Sequence, residues 1–348
     1  MARLGGDVAE EHVRVKAGPQ APGMLNAAGS GLVMAEAPWC AVTPMRLIPF
    51  SRRVRHCAEA AIFFSFMGFF WLIGLDAASF VGGIIGRNVF YRLSAASRAR
   101  RNLIAAYPEK SAAAIEAITL EMCDNLGRLV AEYPHLRNLS VEGKRPRVDI
   151  ENVHIGHDAV AAGKGVIFVT GHFANWEVMT IAAGILDPAG AFVYRPANNP
   201  LVGNWISRQR LIQGPQEQIK KGRRGLKRMF RLIRDGKAVF MLADQKTNEG
   251  IAASFFGRDA MTTAAPAALS LKLGAPIIPV STQRLSGAHF RVTIHSAIEF
   301  SPSGDHTKDI IALTTKMNAV LEDFVRAQPA QWLWVHRRWP TNGNDKQT

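Results

Sequence analysis

The chain has 348 residues, of which 48% are hydrophobic, so it has enough material for one large domain or two smaller ones. Its 42 Lys and Arg residues outnumber its 28 Asp and Glu residues, which gives a formal charge of +14. Such a charge predicts an anionic partner: nucleic acid, a phospholipid surface, a phosphorylated substrate or an acidic carrier protein. The cysteines Cys40, Cys57 and Cys123 lie far apart, which argues against a disulfide framework and a zinc site.

Residues 1–44 are rich in Gly and Ala, and turn-forming residues are scattered through them. This composition predicts an extension without packed structure. The extension also lacks the ordered basic, apolar and small-residue regions of a signal peptide. Met45 offers a second candidate start, so residues 1–44 are interpreted as a disordered extension or an overextended start. Residues 341–348 are expected to form a disordered tail.

An uncharged run of 16 residues extends from Ala60 to Leu75 and contains five Phe residues and one Trp. As a helix it would reach roughly 24 Å, against about 30 Å of bilayer hydrocarbon. After Asp76 the apolar pattern resumes at 80–86, and basic residues flank the whole stretch on both sides. Symmetric flanks favour a segment that enters and leaves on one membrane face or lies in the interface. Residues 45–94 are thus predicted to form a membrane-associated helical segment, with a buried core helix as the alternative.

After a basic helical connector over 95–136, broken near Pro108, strand-like and helix-like patterns alternate. Strands are predicted at 165–170, 191–194, 237–242, 276–282, 290–295 and 331–335. Helices are predicted at 172–185, 200–212, 222–234, 264–273 and 308–326. This alternation predicts an α/β domain over 95–340, with a mostly parallel or mixed central sheet flanked by helices.

The most informative residues are Gly171-His172-Phe173-Ala174-Asn175-Trp176-Glu177, which follow the apolar strand ending at Thr170. Ligands of open α/β sheets bind at the carboxyl ends of strands, where His172 falls. With His172 in the turn and Glu177 at the start of the helix, the carboxylate could orient the imidazole, whose other nitrogen would take a proton from a hydroxyl. The alternative is a structural histidine followed by a capping acid.

Competing catalytic signatures are absent from the sequence. It contains no G-x-S-x-G elbow, no H-E-x-x-H zinc motif, no phosphate-binding G-x-x-x-x-G-K and no dinucleotide-binding G-x-G-x-x-G. Acyl transfer to a hydroxyl therefore remains the natural task for a His/Glu pair.

Residues 165–210 resemble the late acyltransferases of lipid A biosynthesis, typified by the lauroyl acyltransferase, within the H-x4-[D/E] glycerolipid acyltransferase superfamily. Further blocks resemble the same family in the same order: NLGRLVAEYPHL at 125–136, GRRGLKRMFRLIRDGKAVFMLADQ at 222–245, MTTAAPAALSLKLGAPIIPV at 261–280 and QWLWVHRRW at 331–339. The single motif is weak, but five ordered blocks are specific.

The resemblance implies a catalytic pair at His172 and Glu177. It implies a family arginine at Arg208 or Arg210, with Arg210 favoured by counting from Pro200, and a family acid at Asp244. The motif differs at Ala174, where many members carry Gly, and we expect this difference to be harmless.

The resemblance also implies the reaction. An acyl carrier protein thioester would donate the acyl group to a hydroxyl of an anionic, phosphorylated lipid A precursor, without a metal or another cofactor. The enzyme would lie at the inner membrane, with its catalytic domain facing the cytoplasm. Another glycolipid or a lysophospholipid is the alternative acceptor.

Two basic regions fit these partners. Arg195 or Arg210 near His172 could stabilise the oxyanion of the reaction or hold an acceptor phosphate. The predicted helix at 222–234 has one apolar and one strongly basic face, which suits an anionic bilayer, a phosphorylated lipid or an acidic carrier. A core-packed helix with a solvated basic side is compatible with this reading. The segment 331–339 is read either as an interfacial or substrate-edge patch or as a packed terminal strand with exposed charges.

Nucleic acid is not an expected partner. A nucleic-acid-binding protein would carry a recognisable reader module with exposed aromatic or arginine side chains, and the sequence contains no such module. The Phe-rich run at 60–75 indicates lipid instead.

Overall fold

The structure is a computed structural model that describes residues 50–339. The predicted extension at 1–44 and the predicted tail at 341–348 lie outside the described residues.

Ten α-helices and nine strands lie within residues 50–339. The helices are α1 Phe50–Ile73, α2 Leu75–Asn88, α3 Ser94–Ala106, α4 Ala112–Glu132, α5 Val153–Ala161, α6 Val178–Leu186, α7 Pro200–Leu211, α8 Arg223–Arg234, α9 Ala265–Leu273 and α10 His306–Ala327. The strands are β1 Val148–Glu151, β2 Val166–Thr170, β3 Ala191–Tyr194, β4 Glu217–Lys220, β5 Ala238–Leu242, β6 Ile251–Phe255, β7 Arg258–Thr262, β8 Ile277–Ser286 and β9 His289–Ile294.

Seven strands form the central sheet in the order β1-β9-β8-β2-β5-β3-β4. The neighbours from β8 to β4 pair in parallel, whereas β8 and β9 pair antiparallel. The predicted α/β class and the mixed, mostly parallel sheet are therefore confirmed. Strands β2 and β5 occupy the middle of the sheet, and Phe168 stacks on Phe240 at 4.8 Å between ring centroids. Their apolar sequences follow from burial on both faces.

Helices cover both faces of this sheet. The right-handed crossovers β2–α6–β3 and β3–α7–β4 run toward the β4 edge, so they place α6 and α7 on one face. The connections β4–α8–β5 and β5–α9–β8 run back across the sheet and place α8 and α9 on the other face. Two separate apolar clusters fill these faces: one contains α6 residues, and the other contains α8, α9 and α10 residues.

Helix α1 presents most of its apolar surface outward. Its segment Ser51–Ile73 is long and apolar enough to cross a membrane, and only 22% of its most apolar window is buried. The helix ends before Gly74, whose positive φ of 80° breaks it from α2. Exposed side chains along α1 include Ile62, Phe64, Phe66, Phe69, Trp71 and Leu72. This exposure supports α1 as the candidate membrane-association helix.

The apolar segment at 80–86 is partly buried within the protein, unlike most of α1. It forms the middle of α2, whose glycines Gly82 and Gly86 lie buried against α4. A Cβ on Gly86 would approach the Cys123 carbonyl oxygen to within 2.0 Å, so only glycine permits this close packing. The glycine face of this segment thus packs within the protein, while Phe80 and Ile84 remain exposed.

Several predicted elements need correction. The helix predicted at 172–185 begins only at Val178, because 172–177 form an irregular turn that carries the functional side chains. The strand predicted at 331–335 is absent from the structure; a short 3-10 helix at Pro329–Gln331 and a single bridge between Phe173 and Trp332 take its place. Strands β1 and β4, helix α5 and the β6–β7 hairpin were not predicted from the sequence.

Candidate active site

Strand register brings two distant residues together at the carboxyl edge of the sheet. In the parallel pair β2–β5, Thr170 lies opposite Leu242. His172 and Asp244 each follow two residues later, so they emerge side by side. Asp244, which the family resemblance implied as a family acid, is therefore a direct neighbour of the imidazole.

The Asp244 carboxylate holds both the backbone and the ring of His172. Its Oδ1 lies 2.8 Å from His172 Nδ1, and its Oδ2 accepts from the His172 backbone N–H at 2.7 Å. Trp332 Nε1 donates to the same Oδ2 at 2.8 Å. Burial alone would raise the pKa of Asp244, but the His172 charge and these hydrogen bonds together hold it well below its usual range. Asp244 is thus ionised and accepts hydrogen bonds only.

This arrangement assigns the imidazole tautomer. Because ionised Asp244 can only accept, Nδ1 carries the proton, and Nε2 is the free acceptor. The Gln245 side-chain amide lies 2.9 Å from Nε2, at a distance suited to donation. His172 is 18% exposed, so this nitrogen lies at the border of the protein. It can accept a proton from a bound hydroxyl that takes the place of the amide.

Glu177 does not hold the imidazole; it forms an ion pair with Arg210. Arg210 Nε and Nη2 donate to the two Glu177 carboxylate oxygens at 2.6 and 2.5 Å. The predicted contact between Glu177 and His172 is therefore wrong. The physical reason is the turn at 172–177, which places Glu177 at the N-cap of α6, facing α7. Asp244, from the neighbouring strand end, takes the position expected for Glu177.

Charge and hydrogen bonds also fix the protonation of this second cluster. Burial would raise the pKa of Glu177, but the Arg210 charge and hydrogen bonds from Arg210, Tyr133 and Trp176 lower it. Burial and the neighbouring Glu177 charge together raise the pKa of Tyr133 well above its usual value. Trp176 Nε1 lies 3.1 Å from Glu177, and its ring contacts the His172 ring edge-on at 5.0 Å. Trp176 thus connects the two clusters.

The turn between β2 and α6 is held in an unusual conformation. Ala174 has a φ of 48°, in the left-handed region that favours glycine. Its N–H donates to the Gln331 carbonyl at 2.7 Å, and its carbonyl accepts from Asn125 at 3.1 Å. The substitution of Ala for Gly here therefore carries a backbone cost, which the sequence analysis did not expect.

A buried ion pair supports the same turn and was missed by the sequence analysis. Arg284 donates to Glu132 Oε1 at 2.5 Å, and Asn175 donates to Glu132 Oε2 at 2.9 Å. Arg284 also donates to Asn125 at 2.9 Å. Glu132 is fully buried. Its place in the family-like block at 125–136 was the available signal, because a buried acid is rarely without a partner.

The predicted cationic residues occupy three different positions. Arg210 turns inward to Glu177, which leaves Arg208 exposed on the same helix and settles which of the two faces the site. Arg195 is exposed just after β3. Loss of solvation lowers the pKa of Lys221 and His336, and the charge of Arg195 acts in the same direction on both. Arg195 thus lies within electrostatic range of the site rim.

The terminal aromatic segment is mainly core. Trp332, Trp334 and Trp339 are buried, as is Arg338, which donates to Thr262 at 2.8 Å. The interfacial reading of these four residues is therefore wrong. His336 and Arg337 are exposed, and the His336 ring lies 5.8 Å from the His172 ring. This segment forms part of the wall behind the imidazole.

A metal site is not formed within residues 50–339: no three His, Cys, Asp or Glu side chains there cluster in a way that could hold an ion.

A family model described as "Bacterial lipid A biosynthesis acyltransferase" matches residues 47–341. This match includes both carboxylate clusters and the imidazole.

Individual relatives agree with this match. The chain is 27% identical to a lipid A biosynthesis palmitoleoyltransferase of Escherichia coli, over 70% of this chain and 78% of that protein. It is 27% identical to a lipid A biosynthesis lauroyltransferase of the same organism, over 53% and 59% of the two chains. It is 21% identical to a phosphatidylinositol mannoside acyltransferase of Mycobacterium tuberculosis, over 73% and 80%.

Proposed function

Because the chain belongs to the bacterial lipid A biosynthesis acyltransferase family, and is therefore an acyltransferase, we propose that His172 is the general base of its acyl transfer. The observation that carries this proposal is the His172–Asp244 contact, which leaves Nε2 as the unprotonated nitrogen, facing the Gln245 amide at the carboxyl edge of the sheet. The donor in this proposal is an acyl carrier protein thioester, and the acceptor is a hydroxyl of a lipid A precursor.

The proposed reaction is a direct transfer. Nε2 of His172 removes the proton of the acceptor hydroxyl as its oxygen attacks the thioester carbonyl carbon. A C–O bond forms and negative charge develops on the carbonyl oxygen. Collapse of this intermediate breaks the C–S bond, and the leaving thiolate takes the proton from the imidazolium. No acyl-enzyme is formed, so no nucleophilic side chain is needed.

Asp244 and Glu177 act in this proposal as positioning residues. Asp244 keeps the proton on Nδ1 and stabilises the imidazolium that forms during transfer, as a buried carboxylate does in other His-based sites. Glu177 acts indirectly, because it accepts hydrogen bonds from Arg210 and from Trp176, whose ring contacts His172. The planar fork of Arg210 is occupied by Glu177, which argues against Arg210 as the main oxyanion donor.

The acceptor is proposed to be an anionic glycolipid. Arg195 and Lys221 lie at the rim of the site, where positive charge would attract a phosphorylated head group. A mannosylated phosphoinositide is the second candidate, because one relative is named a phosphatidylinositol mannoside acyltransferase. Arg208, exposed on α7, is a further candidate contact for a head group.

The site of action is proposed to be the inner membrane, with the catalytic edge facing the cytoplasm. The exposed apolar surface of α1 supports membrane attachment. Recovery of the full chain in the soluble fraction at low salt, without detergent, would contradict it.

The experiment that tests the function is mass spectrometry of lipid A from a strain lacking the gene, complemented with the wild-type protein or with His172→Ala. The expected result is one secondary acyl chain that only the wild type restores. Restoration by His172→Ala would overturn the base assignment. An unchanged lipid A in the deletion strain, together with altered phosphoinositide mannosides, would favour the second acceptor.

A further inference from the structure

A second concave surface lies away from the carboxyl edge, between α8, α9 and the start of α10. We call it the α8–α9 groove. It encloses about 660 Å³. Its apolar lining includes Leu226, Phe230 and Leu269, and its basic rim consists of Lys227, Arg231 and Lys272. Leu226 is 42% exposed, which is unusual for a leucine on the apolar side of a packed helix.

The cations at the rim of the groove are not neutralised within the described part of the chain. Arg228 and Arg234 on the same helix pair with Glu217 and Asp235. Lys227, Arg231 and Lys272 form no ion pair within residues 50–339. Positive charge is thus concentrated around an apolar floor, a combination that complements an acidic amphipathic helix.

The position of the groove separates it from the apolar surface of α1. Helix α8 and helix α9 cover the sheet face opposite to α6 and α7. Helix α1 packs on α7, where Phe63 contacts Trp205 at 5.5 Å between ring centroids. A bilayer that holds α1 therefore lies on the other side of the sheet from the groove, which favours a soluble occupant.

Helix α8 links the groove to the rim of the site. Helix α8 begins directly after β4, and Lys221 at this junction feels the charge of Asp244. Leu226 follows five residues later, roughly 8 Å along the helix. A carrier protein presents its acyl group on a long flexible thioester arm, so a partner seated in the groove can reach His172 without touching it.

We infer that the α8–α9 groove docks an acidic helix of the carrier protein that brings the acyl thioester. This inference rests on the proposed function and adds to it the surface that recognises the donor. Apolar side chains of the partner helix contact Leu226 and Phe230, while its carboxylates pair with Lys227, Arg231 and Lys272.

The test compares two charge-reversal variants of the full chain in detergent. The groove variant is Lys227→Glu/Arg231→Glu/Lys272→Glu. The control variant is Lys144→Glu/Arg145→Glu/Lys164→Glu, which changes the net charge equally at exposed loop positions. Each is assayed with an acyl carrier protein thioester and with an acyl-coenzyme A thioester, which lacks the protein. Leu226→Ser is assayed in the same way as a milder variant.

The groove variant is expected to raise KM for the acyl carrier protein about tenfold or more, with kcat at saturation nearly unchanged. Transfer from acyl-coenzyme A is expected to stay at the wild-type level, and the control variant is expected to resemble the wild type with both donors. Leu226→Ser is expected to raise the carrier KM by a smaller factor.

The groove variant is also tested for sedimentation with phosphatidylglycerol vesicles. Three outcomes would overturn the inference: an unchanged carrier KM in the groove variant, an equal loss with both donors, or a loss of vesicle binding without a change in the carrier KM. Each leaves the wild-type reaction intact. Failure of the proposed function is a separate result, in which the wild type transfers acyl groups from neither donor to a lipid A precursor.

Discussion

Two buried carboxylates lie near the same turn but meet different partners. Asp244 contacts an imidazole whose second nitrogen faces the Gln245 amide, whereas both oxygens of Glu177 accept hydrogen bonds from the Arg210 guanidinium. Both carboxylates keep their charge when buried, because a positive or hydrogen-bonding partner offsets the lost solvation. A His-x4-Glu spacing alone therefore does not identify which acid holds the imidazole.

The largest effect is expected when the proposed base is removed. His172→Ala is expected to lower acyl transfer by about 10²- to 10⁴-fold, the usual worth of a positioned general base. The imidazole is also a partner of buried Asp244, so the melting temperature should fall, and the rate is compared per folded molecule. The rate is measured with a radiolabelled acyl donor. Near wild-type turnover, or a stable acyl-enzyme on Cys57 or Cys123, would contradict the direct transfer.

The next variant separates the two carboxylates. Asp244→Asn is expected to lower kcat on the order of 10²-fold with a smaller change in KM, because an amide no longer fixes Nδ1–H or stabilises the imidazolium. The ¹⁵N signals of the His172 ring should shift toward the other tautomer. A purely structural role would alter the melting temperature but leave the tautomer unchanged, and that result would refute the positioning role.

Much of this arrangement could be predicted from the sequence, because short apolar runs identify the strands and the residues that follow them. Strands β2, β5 and β8 were recognised by their apolar, β-branched runs, and His172 by its place after one of them. The partner of the imidazole was not recognised, because the pairing of Thr170 with Leu242 depends on strand order rather than on spacing. Asp244 was known only through the family resemblance, without its contact.

The partner of Glu177 could not be predicted from sequence spacing either. Arg210 is 33 residues from Glu177 in sequence, and only the packing of α7 beside the turn brings them together. The outward face of α1 was foreseen from its aromatic run, whereas the burial of the α2 glycines was not. An apolar run that contains glycine is compatible with a lipid environment. In this protein the α2 glycines instead allow close packing of α2 against α4.

Glu177→Gln tests whether Glu177 stabilises the fold through Arg210 rather than orients the imidazole. It leaves Arg210 without a negative partner, and breaking a buried ion pair costs about 3 kcal/mol or more of unfolding free energy. Activity of the folded fraction should fall only about tenfold, less than for Asp244→Asn, and the ¹⁵N signals of the His172 ring should keep the wild-type tautomer. Arg208→Gln, on the exposed side of the same helix, is the matched control and should melt like the wild type.

A loss of the His172 tautomer in Glu177→Gln would show that Glu177 orients the base after all. Addition of Arg210→Met to Glu177→Gln should recover part of the lost stability, because no unpaired buried charge then remains.

A smaller effect is expected in the pH dependence of the melting temperature, through His336. Although part of the His336 side chain is exposed, loss of solvation around its ring, helped by the His172 charge, lowers its pKa from 6.5 to about 4. A lowered folded-state pKa means that the neutral form stabilises the fold fully above pH 6.5 and that this contribution is lost as the pH falls toward 4. The melting temperature of the wild type should therefore drop over this window more steeply than that of His336→Gln. Parallel curves would show that His336 titrates normally in the folded protein.

The smallest expected effect concerns the turn that keeps the two carboxylates apart. Ala174 lies in the left-handed region at φ 48°, which costs a non-glycine residue roughly 1–2 kcal/mol, and hydrogen bonds from Asn125 and to Gln331 hold it there. Glycine removes this cost, but its larger conformational entropy in the unfolded chain lowers the stability by about 0.4–1 kcal/mol. Ala174→Gly should therefore raise the unfolding free energy by about 0.5 kcal/mol and leave kcat near the wild-type value.

The matched control for this last change is Ala113→Gly, at an exposed helical position in the first turn of α4. It brings the same entropy gain in the unfolded chain without any relief of backbone strain, so it should lower stability by about 0.5–1 kcal/mol. Denaturant titrations of the two variants should then deviate from the wild type in opposite directions. Equal losses in both would mean that position 174 does not adopt the left-handed conformation in solution, and the separation of His172 from Glu177 would then need another cause than this turn.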